Sequence, residues 1–202
     1  MLLCGSQEKG ALTVRRGEER FYVRRLCFDA AALCMALALS YTESVLPIGA
    51  WLPIPGMRPG LANIVITFVF FAVSPKDAAV ISFSRVAING MLFGSPLSVW
   101  MSFCGALFAY SALCALYFCK TVRKKLSFIG ISVLCAAAHS MGQLLAAGAV
   151  AVSWGVISYA PVMLALSCFF GAVNGAILNY LYPAAEKILK KSSCKNEKEK
   201  VH

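Results

Sequence analysis

The sequence predicts an all-α integral membrane protein, a six-transmembrane-helix bundle with both termini in the cytoplasm. Three observations predict it. Hydrophobic residues make up 59 % of the 202-residue chain and charged residues 14 %, whereas a soluble domain is about half apolar and a quarter charged. The apolar residues gather into six runs. Of the nineteen Lys and Arg residues, all but Arg58 and Arg85 gather at the two ends and in alternate connections.

The runs follow in order. Residues 1–25 form a basic N-terminal tail carrying Lys9, Arg15, Arg16, Arg20, Arg24 and Arg25. The first run covers 26–43. A Pro/Gly-rich connection, 44–60, follows with Pro47, Pro53, Pro55, Pro59 and Gly60. The second run, 61–74, stops at Ser74-Pro75. The third, 78–94, ends at Gly94-Ser95-Pro96, and the fourth covers 97–119. Then comes a basic loop with Lys120, Arg123, Lys124 and Lys125. The fifth run is 127–152 and the sixth 155–182, interrupted at Pro161. The tail 183–202 is charged, poor in apolar residues, and reads as disordered beyond about residue 191. The chain thus divides into a cytoplasmic tail 1–25, a membrane domain 26–182 and a cytoplasmic tail 183–202.

A membrane span needs about 20 residues. The second run falls short, and two readings stand open. It is a short helix lining a cavity, since free backbone ends cannot face lipid, or it starts nearer Pro59. Orientation follows from the cations: six in the N-tail, one (Arg58) in the first connection, one (Lys76) in the second, none in the third, four in the fourth, none in the fifth and six in the C-tail. The richer side is cytoplasmic, which points to a bacterial cytoplasmic membrane protein.

Composition also excludes function classes. The cations lie in tails and one loop without interleaved aromatics, so no nucleic-acid surface is expected. Nine cysteines occur without a C-x-x-C pair or zinc-ligand spacing, so neither a metal nor a cofactor is expected. Asp29 and Asp77 are the only aspartates, so no aspartate-rich diphosphate site exists. No catalytic residues are assigned.

Polar residues inside the apolar runs are the candidate site. A charge at the bilayer centre costs about 2.5–3.5 kcal/mol on the insertion scale. Arg85 lies mid-way along the third run with Asn89 four residues on, hence on the same helix face. His139 and Gln143 repeat that spacing in the fifth run. Glu43 closes the first run, Arg58 lies in the first connection, and Asn63 opens the second run. These seven are the candidate ligand-binding residues, with Arg85 offering fork-shaped donors to a carboxylate or phosphate. The alternative is packing: Arg85 paired with Glu43, and His139 with Gln143. Asn174 and Asn179 read as packing residues. Ala32 and Ala36 put two small side chains on one face of the first helix, where another helix can come close; it belongs either to this chain or to a partner. Trp51 suits an interfacial anchor or, equally, a cap over a cavity mouth.

The stretch Pro55-Gly56-Met57-Arg58-Pro59-Gly60-Leu61-Ala62-Asn63-Ile64, preceded by Glu43, resembles the Gx transporter family, also labelled heptaprenyl diphosphate synthase component I. Arg85, Phe93-Gly94-Ser95-Pro96-Leu97-Ser98 and His139-Ser140-Met141-Gly142-Gln143 follow in the same order. Pro59 departs from the aliphatic residue the pattern expects. The resemblance covers roughly residues 26–182. That family is in turn similar to the substrate-binding S components of energy-coupling factor transporters. The likeness implies an S-component-like bundle, a small-molecule ligand covered by the connection 44–60, and a membrane coupling subunit with ATPases as partner, met through Ala32 and Ala36. The family label implies instead a prenyl synthase partner, and a likeness to quinone- and flavin-linked electron-transfer components implies a redox partner. A carrier acting alone is disfavoured, because Glu43 is the one good candidate for proton coupling.

Overall fold

The computed structural model describes residues 4–45, 58, 60–93, 95–119, 126–151 and 154–199. Most of the expected cover over the site (46–57 and Pro59), with Trp51, lies outside the described residues, as do Gly94 and the basic loop 120–125.

Among the described residues six α-helices follow one another: α1 Cys4–Val45, α2 Asn63–Ala72, α3 Pro75–Phe93, α4 Pro96–Phe118, α5 Phe128–Ala151 and α6 Ala160–Glu199, with a 3-10 turn at Trp154–Tyr159 before the last. Three prolines mark starts rather than breaks. Pro75 and Pro96 open α3 and α4, and Pro161 sits in the first turn of α6, where its missing N–H has no partner to lose. The interruption read at Pro161 is therefore the junction between the 3-10 turn and α6. Ser95 caps α4, its Oγ accepting from the Ser98 N–H at 3.3 Å.

Among the described residues three helices are long and apolar enough to cross a membrane: Pro96–Phe118, Phe128–Val150 and Ile157–Ala184. α3 has 19 residues but carries Lys76, Asp77 and Arg85, and α1 carries its charges along much of its 42 residues. α2 is ten residues, about 15 Å at 1.5 Å per residue, half the hydrocarbon thickness. Of the two readings of the second run, the short helix is the one observed.

α6 continues helically to Glu199. Ala, Glu and Lys are strong helix formers, and Glu186 and Lys190 stand at helical i,i+4 spacing. Ala32 and Ala36 are buried within this chain, at 8 % and 0 % exposure, against Val65, Val69 and Ile81. Their small side chains admit the chain's own α2 and α3.

Large apolar side chains face outward: Trp100, Leu107, Phe118, Leu134, Phe169, Tyr180 and Leu181 are all exposed. Arg85, Asn89, His139 and Gln143 are buried. This inversion of the soluble pattern suits lipid as the surrounding solvent. Inside, two apolar clusters form. One joins α1 to α5 through Ala36, Val69, Phe70, Ile81, Leu113 and Cys135; Phe70 packs edge-on against Tyr110 and Tyr117 of α4, with ring centres 6.0 and 5.7 Å away. The other gathers Met101, Leu144, Ala147 and Met163. Along α5 the polar residues His139, Ser140 and Gln143 lie between them. Arg25 of α1 closes the far end on Asp77 of α3, at 2.6 Å.

α5 and α6 pack most closely. Gly171 and Gly175 make a G-x-x-x-G pair on α6 that rests on the α5 backbone; a Cβ at Gly175 would lie 2.4 Å from the Ile129 Cα, and one at Gly171 2.8 Å from the Val133 Cα.

Candidate functional site

The site is built around the point where the chain enters α2. Gly60 turns with a φ of +84°, a left-handed value that favours glycine. The next residues present free N–H groups at the start of α2. Glu43, near the end of α1, answers them: its Oε1 accepts from the Leu61 N–H and from the Ala62 N–H. Gln143 of α5 accepts from the Arg58 N–H at 3.3 Å, and the Asn174 amide of α6 donates to the Gly60 carbonyl at 3.3 Å. Side chains from three helices thus hold Arg58, Gly60, Leu61 and Ala62.

Arg85 lies 5 % exposed on α3. Its NH1 donates to Ser40 Oγ on α1 at 3.1 Å, and its buried Nε has no partner. Glu43 is within electrostatic reach of Arg85 and Arg58. Yet among the described residues the only ion pair within 4 Å is Arg25–Asp77, because the Glu43 carboxylate is engaged on the α2 backbone. The packing alternative of a direct Arg85–Glu43 bridge is therefore not what the fold adopts. Burial lowers the Arg58 guanidinium from its ordinary value, and Glu43 opposes that shift.

His139 and Gln143 do meet, one turn apart: Gln143 Nε2 lies 3.0 Å from His139 Nε2. Since the Gln143 oxygen accepts from Arg58, its amide nitrogen donates and His139 Nε2 accepts. That places the imidazole proton on Nδ1, which faces the Gly105 backbone without reaching hydrogen-bond geometry.

Between these groups is a cavity of about 10 Å³, room for about one water. Glu43, Arg58, Arg85, Asn89 and His139 line it, joined by Val86, Gly90, Ser98, Val99 and Ser102. Five of the seven expected residues come together there. Gln143 stands behind, fixing His139 and Arg58. Asn63 is buried beneath Gly60, with its Nδ2 unpartnered. Sequence reasoning missed Ser40, Ser98, Ser102 and the bridging role of Asn174; Asn179 is exposed. A signal existed for the serines: Ser98 and Ser102 repeat the four-residue spacing of Arg85 and Asn89, and Ser40 lies one turn before Glu43. Ser140 and Ser167 also hydrogen-bond each other, joining α5 to α6.

The arrangement can hold a polar group against fixed cations and hydroxyl donors. No group of three His, Cys, Asp or Glu side chains among the described residues could hold a metal ion.

Comparison with known proteins places this site inside a matched region. The family model described as heptaprenyl diphosphate synthase component I matches residues 33–181, from the last third of α1 to near Pro183 of α6. No curated protein and no solved structure matches the chain.

Proposed function

This chain belongs to the heptaprenyl diphosphate synthase component I family, and from that premise we propose that it is a substrate-binding membrane subunit, S-component-like, for uptake of a small molecule. It resides in a bacterial cytoplasmic membrane with six crossings and both termini inside, α1, α2 and α3 completing the three long apolar helices. It performs no chemistry of its own; energy comes from a partner, a membrane coupling subunit with ATPases. One observation carries the reading: Arg85 is buried, with an unpartnered Nε, beside a cavity that also gathers Arg58, Asn89 and His139. Interhelical polar contacts contribute about 0.6 kcal/mol on average, less than the insertion cost of an arginine, so packing alone gives a weak account of that side chain.

A second reading rests on the family description. A component I implies another component, so the chain would anchor a prenyl diphosphate synthase, or a quinone- or flavin-linked redox assembly, at the membrane without catalysing the reaction.

The test is affinity purification of the tagged full chain from native membranes in mild detergent, with mass spectrometry of the recovered proteins. Recovery of a membrane coupling subunit with paired ATPases supports the uptake reading. Recovery of a prenyl synthase or redox proteins, with no ATPase, replaces it with the anchoring one.

A further inference from the structure

The charges around the cavity do not balance. Two guanidinium groups, Arg85 and Arg58, face it with one carboxylate, Glu43. That carboxylate is already bound by two backbone N–H groups at the start of α2, an end that itself carries partial positive charge. Arginine stays protonated in proteins. So the site holds one formal positive charge more than it answers, between two apolar clusters where an unmatched charge is costly. Arg85 Nε is buried and unpartnered. Ser98 and Ser102 add hydroxyl donors from α4.

We propose that this cavity receives an anionic oxyacid group of a ligand, a carboxylate or a phosphate, held by Arg85 and Arg58, and that Glu43 is the resident counter-anion rather than a ligand contact. The inference rests on reading the cavity as a ligand site, and it names the class of ligand. Planar guanidinium forks match the oxygens of either group. The present volume admits about one water, so binding of an oxyacid group requires the lining side chains to move apart, the half-buried Arg58 among them. Glu43 competes electrostatically with the incoming anion. Removing its charge while keeping an acceptor for the Leu61 and Ala62 N–H groups therefore strengthens anion binding, whereas a ligand-contact role for Glu43 demands the opposite.

The test measures thermal unfolding of the purified full chain in neutral detergent at fixed ionic strength. Chloride is replaced by phosphate or benzoate, and a second arm uses nanodiscs of phosphatidylcholine with and without phosphatidic acid. The wild type is expected to be stabilised by the soluble anions, or by phosphatidic acid alone if the group belongs to a lipid headgroup. Glu43→Gln should raise apparent affinity about tenfold or more, the order a nearby charge produces at partial burial. Arg58→Gln and Arg85→Gln should lose the response, and Arg85→Lys should keep only part of it. The half-buried Arg58 keeps the test open if the Arg85 variants fail to fold. An equal response in Arg58→Gln, or weaker binding in Glu43→Gln, overturns the proposal. Native mass spectrometry separates the two levels of failure. A neutral or cationic small molecule bound to a wild type that ignores anions refutes the anion assignment and leaves the binding subunit standing. No bound molecule and no anion response refute both.

Discussion

The side-chain amide of Asn174 on α6 donates to the carbonyl of Gly60 across 114 residues of sequence, at 3.3 Å. It is one of three fastenings on the residues that lead into α2; Gln143 holds the Arg58 N–H and Glu43 the Leu61 and Ala62 N–H groups. The candidate cavity has Arg58 and Glu43 in its wall, so whatever loosens this segment loosens the site.

Asn174→Ala removes the bond from α6. The expected loss of stability is about 1 kcal/mol, the usual net worth of one hydrogen bond. The segment-specific sign is faster amide hydrogen exchange at Leu61 and Ala62, measured on the purified protein in detergent. Unchanged exchange there would mean that the other two fastenings suffice.

The α5–α6 contact depends on the absence of side chains at two positions. Gly175→Ala puts a Cβ 2.4 Å from the Ile129 Cα, and backbone cannot yield as a flexible side chain can. A cost of about 1–3 kcal/mol is expected, in the range for overpacking. Gly148→Ala is the control: nothing lies within 4 Å of its Cβ position. It should be neutral or stabilising by up to about 1 kcal/mol from helix propensity. Thermal midpoints of the two variants decide the matter.

Gly105 keeps room for the His139 ring. A Cβ there would come 2.8 Å from Cε1 and 2.9 Å from Nδ1. Gly105→Ala should displace the imidazole, disturb its contact with Gln143, and weaken whatever the cavity binds by roughly tenfold, about 1.4 kcal/mol. Ligand or anion titration of the variant measures the effect, and a shift in the His139 ring signals by NMR confirms its cause.

The proposed topology has its own measurement. Reporter fusions at residues 95, 122, 153 and 202 should read outside, inside, outside and inside, in line with the cation distribution. A C-terminal fusion that reads outside would remove the even number of crossings.

The all-helical class and the polar inventory were legible because they depend on composition and helical period alone. Apolar content identifies the solvent, and the 3.6-residue period places Arg85 with Asn89, and His139 with Gln143, on shared faces before any neighbour is known. Prolines marked the boundaries between runs, and the structure shows that Pro75, Pro96 and Pro161 lie at helix starts. The period does not say which helix a face meets. Ala32 and Ala36 share a face, but only packing shows that α2 and α3 fill it. The end of α6 has a polar composition that gives no core to bury, while its Ala, Glu and Lys content favours the helix it forms.

What the sequence by itself determined is the membrane class, the helix set and the residues that require a partner in an apolar interior. Only the tertiary structure decided who the partners are. Glu43 was a candidate ligand contact, and the fold places its carboxylate on the start of α2; Asn174 was a packing residue, and it reaches Gly60. The reason is physical. A buried polar atom must find a partner, but its partner can lie more than a hundred residues away, and that distance closes only when the helices pack.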